Sequence, residues 1–110
     1  MVTPSVGSVV LVPFPFSDLS TSKLRPALLV ASSGWDDWVC MQITSNPYSD
    51  PSAIEICEAD FQIGSLSRIS YVRPGKSFTA NHALFRRIVG RITAFKLNEA
   101  RTAIITLLQS

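Results

Sequence analysis

At 110 residues, 46% of them hydrophobic, the chain is long enough to bury one core and too short for two. Charged residues make up only 16% of it and mean hydropathy is +0.26, so the chain either packs unusually fully or keeps an apolar surface for a partner, most simply a second copy. No apolar run approaches the roughly 18 residues that cross a bilayer; Met1 to Val6 lacks a basic start and an apolar core of leader length, so one cytoplasmic domain spanning residues 1–110 is expected.

The first strand is expected near Gly7 to Val12, followed by Pro13-Phe14-Pro15-Phe16 and a polar loop from Ser17 to Leu24. Arg25-Pro26 then opens a second apolar run, Ala27 to Ala31. A residue before proline is biased toward extended backbone, which places Arg25 at the beginning of a strand. An arginine there can fork two N–H groups onto phosphate oxygens. An ion pair with Asp18, or an exposed edge charge, explains it equally well from the residues alone.

Ser32-Ser33-Gly34 followed by Trp35-Asp36-Asp37 reads as a hairpin loop leading to a third strand, Trp38 to Thr44. If Val39, Met41 and Ile43 face the core, two-residue alternation turns Gln42 and Thr44 away from it. Thr44 and Ser45 can then offer hydroxyl groups at the strand end, although a lone threonine is usually just a strand former. In the loop Ser45 to Ser52, Asn46-Pro47 and Asp50-Pro51 favour turns. Further strands are expected at Ala53 to Cys57, Arg68 to Arg73 and Arg87 to Ile92, with Pro74-Gly75 as a turn after Arg73.

Short strands with Gly, Pro and Ser punctuation, and no helix-length segment between the early ones, predict a mainly β barrel or sandwich rather than a βαβ sheet. The end differs in kind. Thr93 suits an N-cap, and Leu97, Ala100, Ile104 and Leu108 recur at helical spacing, with Lys96, Glu99 and Arg101 outside the stripe. One helix is expected to close the barrel. Its β-branched residues Thr102, Ile104, Ile105 and Thr106 weaken it in isolation, so docking has to stabilise it.

Charge divides the chain. Residues 1–62 sum to −5 and residues 63–110 to +7, and seven of the ten cations are arginine. The second half therefore suits an anionic partner, nucleic acid or acidic peptide, unless its cations serve internal pairs. Cys40 and Cys57 lie in apolar runs, read as small buried hydrophobes that need no disulfide. With one histidine and no Cys-x-x-Cys spacing they make no standard zinc site, and no metal or cofactor is expected. His82, in a polar loop after Asn81, reads as structural or exposed before it reads as an acid or base.

Gly7-Ser8-Val9-Val10-Leu11-Val12-Pro13-Phe14-Pro15-Phe16-Ser17-Asp18, Lys23-Leu24-Arg25-Pro26-Ala27-Leu28, Gln42-Ile43-Thr44-Ser45, Tyr71-Val72-Arg73-Pro74 and Val89-Gly90-Arg91-Ile92 together resemble the MazF/PemK family of toxin endoribonucleases, in order and across nearly the whole chain. The resemblance implies a small SH3-like β-barrel with a C-terminal helix, CcdB/MazF-like, and a homodimer. It implies metal-independent cleavage of single-stranded RNA to a 2′,3′-cyclic phosphate and a 5′-hydroxyl, restrained by an acidic cognate antitoxin. Arg25 matches the family's catalytic arginine and Thr44 its catalytic threonine. Asp18, Lys23, Gln42, Ser45, Arg73 and Lys76 are the expected RNA contacts. In the PemK-type branch an aspartate proposed as general base follows the arginine by two positions; here Gly75 stands there, and the base is unassigned. A gyrase poison of the same barrel fold, or a plain RNA- or protein-binding barrel using Phe14, Phe16, Trp35, Trp38 and Phe78, are the competing readings.

Overall fold

The computed structural model describes residues 3–15, 22–47 and 49–110. Seven strands, β1 (Ser8–Pro15), β2 (Ser22–Gly34), β3 (Asp37–Thr44), β4 (Ile54–Ile56), β5 (Phe61–Gly64), β6 (Ser70–Asn81) and β7 (Arg87–Ile92), precede one helix, α1 (Ala94–Gln109). They form a single curled antiparallel sheet in the order β4-β6-β3-β2-β1-β7-β5. Only β1-β2 and β2-β3 pair strands that are consecutive in sequence; the other four pairings, β4-β6, β6-β3, β1-β7 and β7-β5, join strands that are not.

Both faces are buried. Val9, Leu28, Met41, Ile43, Ile56 and Val72 form one core cluster, on which Leu97 and Ala100 of α1 dock. Val10, Val12, Ala27, Leu29, Cys40 and Ala80 form a second cluster, bordered by Phe14, Trp38, Phe78 and Phe85. Adjacent strand residues alternate between the two, as the pleat requires. Thus Cys40 and Trp38, on the face expected to point away from the core, are packed into a core of their own.

Several strands outrun their sequence signals. β1 continues through Pro13-Phe14-Pro15 because its pairing with β7 ends at Leu11↔Arg87. Beyond that point, among the described residues, only β2 pairs with it, from Val12↔Arg25 to Pro15↔Ser22, and proline is tolerated where one edge carries no ladder. β6 runs eight residues past Arg73. Its register against β3 jumps between Met41↔Ser77 and Gln42↔Arg73, so Pro74, Gly75 and Lys76 bulge out of the strand. The Ser77 hydroxyl closes that bulge on the Pro74 carbonyl at 2.7 Å. The expected turn exists, inside a strand that then resumes because Phe78 and Ala80 pack into the second core. β5 had no forecast; Gly64, with φ +73°, meets Gly90 of β7 so closely that an added Cβ would lie 2.1 Å from the Val89 carbonyl oxygen.

The helix starts where expected, the Thr93 hydroxyl accepting a bond from the Lys96 N–H at 3.2 Å. Its docked stripe is Leu97, Ala100, Ala103 and Ile104. Leu108, which shares the spacing of that stripe, is nevertheless 77% exposed, while its neighbour Leu107 turns toward Gly75 in the β6 bulge. Arg101, placed outside the stripe, still reaches the sheet through the Val30 carbonyl. No helix among the described residues is long and apolar enough to cross a membrane.

Candidate active site

The β2–β3 ladder ends at Ala27↔Gln42. Immediately beyond it stands Pro26, which has no N–H to continue the pairing. Continued two positions, the same register sets Arg25 across from Thr44. The two strands thus part where the candidate guanidinium and hydroxyl sit. Arg25 and Thr44 line one cleft of about 270 Å³, together with Lys23, Ser45, Arg68 and Ser70. Pro26, Ile43 and Leu66 supply apolar wall.

Thr44 is only 7% exposed, less open than its expected outward orientation suggested. Its hydroxyl donates to the Asn46 carbonyl at 3.0 Å and accepts from the Asn46 N–H at 3.2 Å. That local turn fixes the oxygen at the mouth of the cleft, and rotation about the C–O bond redirects its proton toward an acceptor there. Ser70, also nearly buried, spends its hydroxyl on the Arg68 carbonyl.

The expected RNA contacts do not all meet. Lys23 and Ser45 join Arg25 and Thr44 in the cleft. Gln42 and Lys76 line a second hollow of about 350 Å³ with Val12, Phe14 and Phe78, where the two phenylalanine rings meet edge to face at 5.0 Å. Arg73 sits inside β6, opposite Gln42, rather than at a strand end. Its Nε donates to Asp50 Oδ2 at 2.9 Å. The guanidinium, and the Ser52 N–H on the other carboxylate oxygen, hold the Asp50 carboxyl below the usual carboxylate range. Asp18 lies outside the described residues. Gly75 falls in the bulge, where a Cβ would lie 3.6 Å from a Leu107 methyl, so a carboxylate there would meet the apolar helix.

Arg68 is a charged cleft residue that the sequence pattern does not single out. In sequence it reads only as a strand start and one of many cations, whereas the connection from β5 to β6 carries it into the cleft wall; the surplus of arginine in the second half is its only signal. His82 lies elsewhere. Its N–H donates to the Asp36 carbonyl at 2.8 Å, beside the β2–β3 hairpin, about 24 Å along β3 from Thr44. Among the described residues no group of three or more His, Cys, Asp or Glu side chains could hold a metal ion.

The fold has counterparts among solved structures. An endoribonuclease from a mycobacterial species, solved with its cognate antitoxin, superposes with a TM-score of 0.76 over 97% of this chain and 96% of its own, at 19% identity. MazF from Deinococcus radiodurans, in a MazE-MazF complex, gives 0.73 over 98% of both chains at 18% identity. The fold is that of the MazF toxins. The Mycobacterium tuberculosis toxin MazF-mt6 shares it as well, at TM-score 0.71 and 15% identity, over 93% of this chain and 96% of that one. No protein-family model and no curated protein matches the sequence. The MazF-like fold thus rests on backbone shape, with the curled sheet and the terminal helix both included in the match.

Proposed function

We propose that this chain is a sequence-specific endoribonuclease toxin that cleaves single-stranded RNA without a metal, and that a cognate antitoxin restrains it. The observation that carries the reading is the convergence of Arg25 and Thr44 on one cleft where the β2–β3 ladder opens. When an RNA 2′-hydroxyl attacks the adjacent phosphorus, negative charge grows on the non-bridging oxygens and on the departing 5′-oxygen. Donors fixed at those atoms stabilise the transition state more than the ground state. Arg25 contributes a charged planar fork and Thr44 a single hydroxyl. The products are a 2′,3′-cyclic phosphate and a 5′-hydroxyl, with the base that takes the 2′ proton unassigned.

Lys23 and Arg68 on the same cleft supply cations for flanking phosphates, and Ser45 a further hydroxyl donor. Arg73, Gln42 and Lys76 extend the RNA path onto β6 and the neighbouring hollow. An acidic antitoxin segment suits the same cations, and the exposed Phe95 and Leu108 offer apolar surface for a second copy of the chain. The test is a long single-stranded RNA incubated with the protein in EDTA. Discrete cuts ending in 2′,3′-cyclic phosphate support the reading. Bound but intact RNA makes the protein a binder, and inhibited gyrase supercoiling without RNA cleavage makes it a poison of the topoisomerase.

A further inference from the structure

Asp50 stands at the junction of two consecutive turns in the loop between β3 and β4. Its N–H donates to the Pro47 carbonyl at 2.9 Å and its own carbonyl accepts from Ala53 N–H at 3.2 Å. One carboxylate oxygen accepts the Ser52 N–H at 2.9 Å, the side-chain turn that Asp before Pro favours. The other accepts Arg73 Nε, also at 2.9 Å. The carboxylate is thus fixed by its own loop before it meets the arginine, and both side chains are largely shielded, at 13% and 18% exposure.

The same loop begins at Thr44, whose hydroxyl is held by Asn46. Arg73 lies opposite Gln42, and Tyr71 opposite Thr44. Alternation therefore sets Arg25, Thr44, Gln42 and Arg73 on one face, since Leu28, Met41, Ile43 and Val72 occupy the other. Two strand spacings and two residues separate the Cα atoms of Arg25 and Arg73, roughly 12 Å, which fits two phosphates of a single RNA strand on either side of the row.

We propose that Asp50 is a positioning residue for RNA cleavage, binding the Nε edge of Arg73 so that its guanidinium plane is set toward the substrate strand while the loop carrying Thr44 is pinned to β6. This rests on the nuclease reading above. A long arginine side chain left to itself samples many rotamers, and a contact through Nε fixes its plane before RNA arrives. Asp50 itself touches no reacting atom. Its contribution passes through Arg73 and is absent once Arg73 is gone.

The experiment is a double-mutant cycle on RNA cleavage with wild type, Asp50→Asn, Arg73→Ala and the double variant, each checked by thermal melting. Asp50→Asn keeps an acceptor for Ser52 and nearly the same shape, so the loop stays folded. Expected is a loss of about 10- to 100-fold in kcat/KM for Asp50→Asn, with the double variant no slower than Arg73→Ala alone. Asp50→Glu, which restores the charge with a longer reach, is expected to recover part of the loss. Additive losses, or Asp50→Asn cutting at the wild-type rate, overturn the positioning role and leave the nuclease reading standing. A wild type that leaves RNA uncut overturns both.

Discussion

Arg101 on the helix donates two hydrogen bonds, from Nε at 3.0 Å and from a terminal nitrogen at 2.7 Å, to the carbonyl of Val30 in β2. That carbonyl belongs to a bulge: Leu29 pairs with Cys40 and Ala31 with Val39, leaving Val30 without a partner in the ladder. The arginine satisfies an oxygen that the sheet itself cannot, and it ties α1 to the sheet. Arg101→Ala should lower unfolding free energy by about 1 to 2 kcal/mol, read as a shift in urea midpoint at constant slope.

The β2–β3 hairpin carries a strain that two substitutions remove. Trp35 and Asp36, the two turn residues, have φ of +57° and +62°, values a type I′ turn demands and Asn-Gly supplies far more readily. Trp35 is 94% exposed and contributes little packing. The bonds to neighbouring segments use the backbone carbonyls of Trp35 and Asp36, so they survive replacement. Trp35→Asn with Asp36→Gly should raise stability by about 1 kcal/mol, with a melting temperature several degrees higher.

The two cysteines should label differently. Both are free, Cys40 buried and Cys57 partly exposed. Burial pushes the Cys40 thiol up to about 11, against a weaker opposing bond from the Ala80 backbone, so at neutral pH it is an inaccessible thiol and not a nucleophile. Mass spectrometry after brief iodoacetamide treatment should find one adduct, on Cys57, in the folded chain and two in denaturant. Rapid double labelling of folded protein would contradict the packing of β3.

Acid should expose the Asp50 pair. Its carboxyl is held below the usual value of 3.8, first by the Arg73 bond and then by the Ser52 N–H. A depressed folded-state value stabilises the fold at any pH above the unfolded value, and that contribution is lost as pH falls through the folded value. The Asp50→Asn variant should therefore be less stable than wild type above about pH 4 and converge with it under stronger acid. Melting temperatures from pH 2 to 7 give the comparison.

Much of this is legible in the sequence, for reasons that differ by element. The strands around Leu28 and Met41 carry continuous apolar runs because both faces of the sheet are buried, and α1 announces itself by Thr93 and the Leu97 stripe. The Arg25 and Thr44 pairing followed from a resemblance, and register brings the two together. The misses share a cause: they depend on contacts between distant segments. Pro74-Gly75 is locally a turn, and only Phe78 and Ala80 finding the second core makes β6 resume. Arg73 reads locally as a cation at a strand end, and only the fold brings Asp50, 23 residues away in sequence, onto it. Arg68 carries no local signal at all. Leu108 repeats with the stripe, yet it is Leu107 that faces the β6 bulge at Gly75, and Leu108 stays exposed.

The central claim is that the Arg25 guanidinium and the Thr44 hydroxyl stabilise the charge that builds during RNA cleavage, and single-turnover cleavage of a mapped RNA site in EDTA tests it most directly. Arg25→Ala and Thr44→Ala should each fold like wild type and cut about 10² to 10³ times more slowly. Either variant cutting at the wild-type rate would contradict the claim for that residue, and both doing so would remove the cleft from the chemistry.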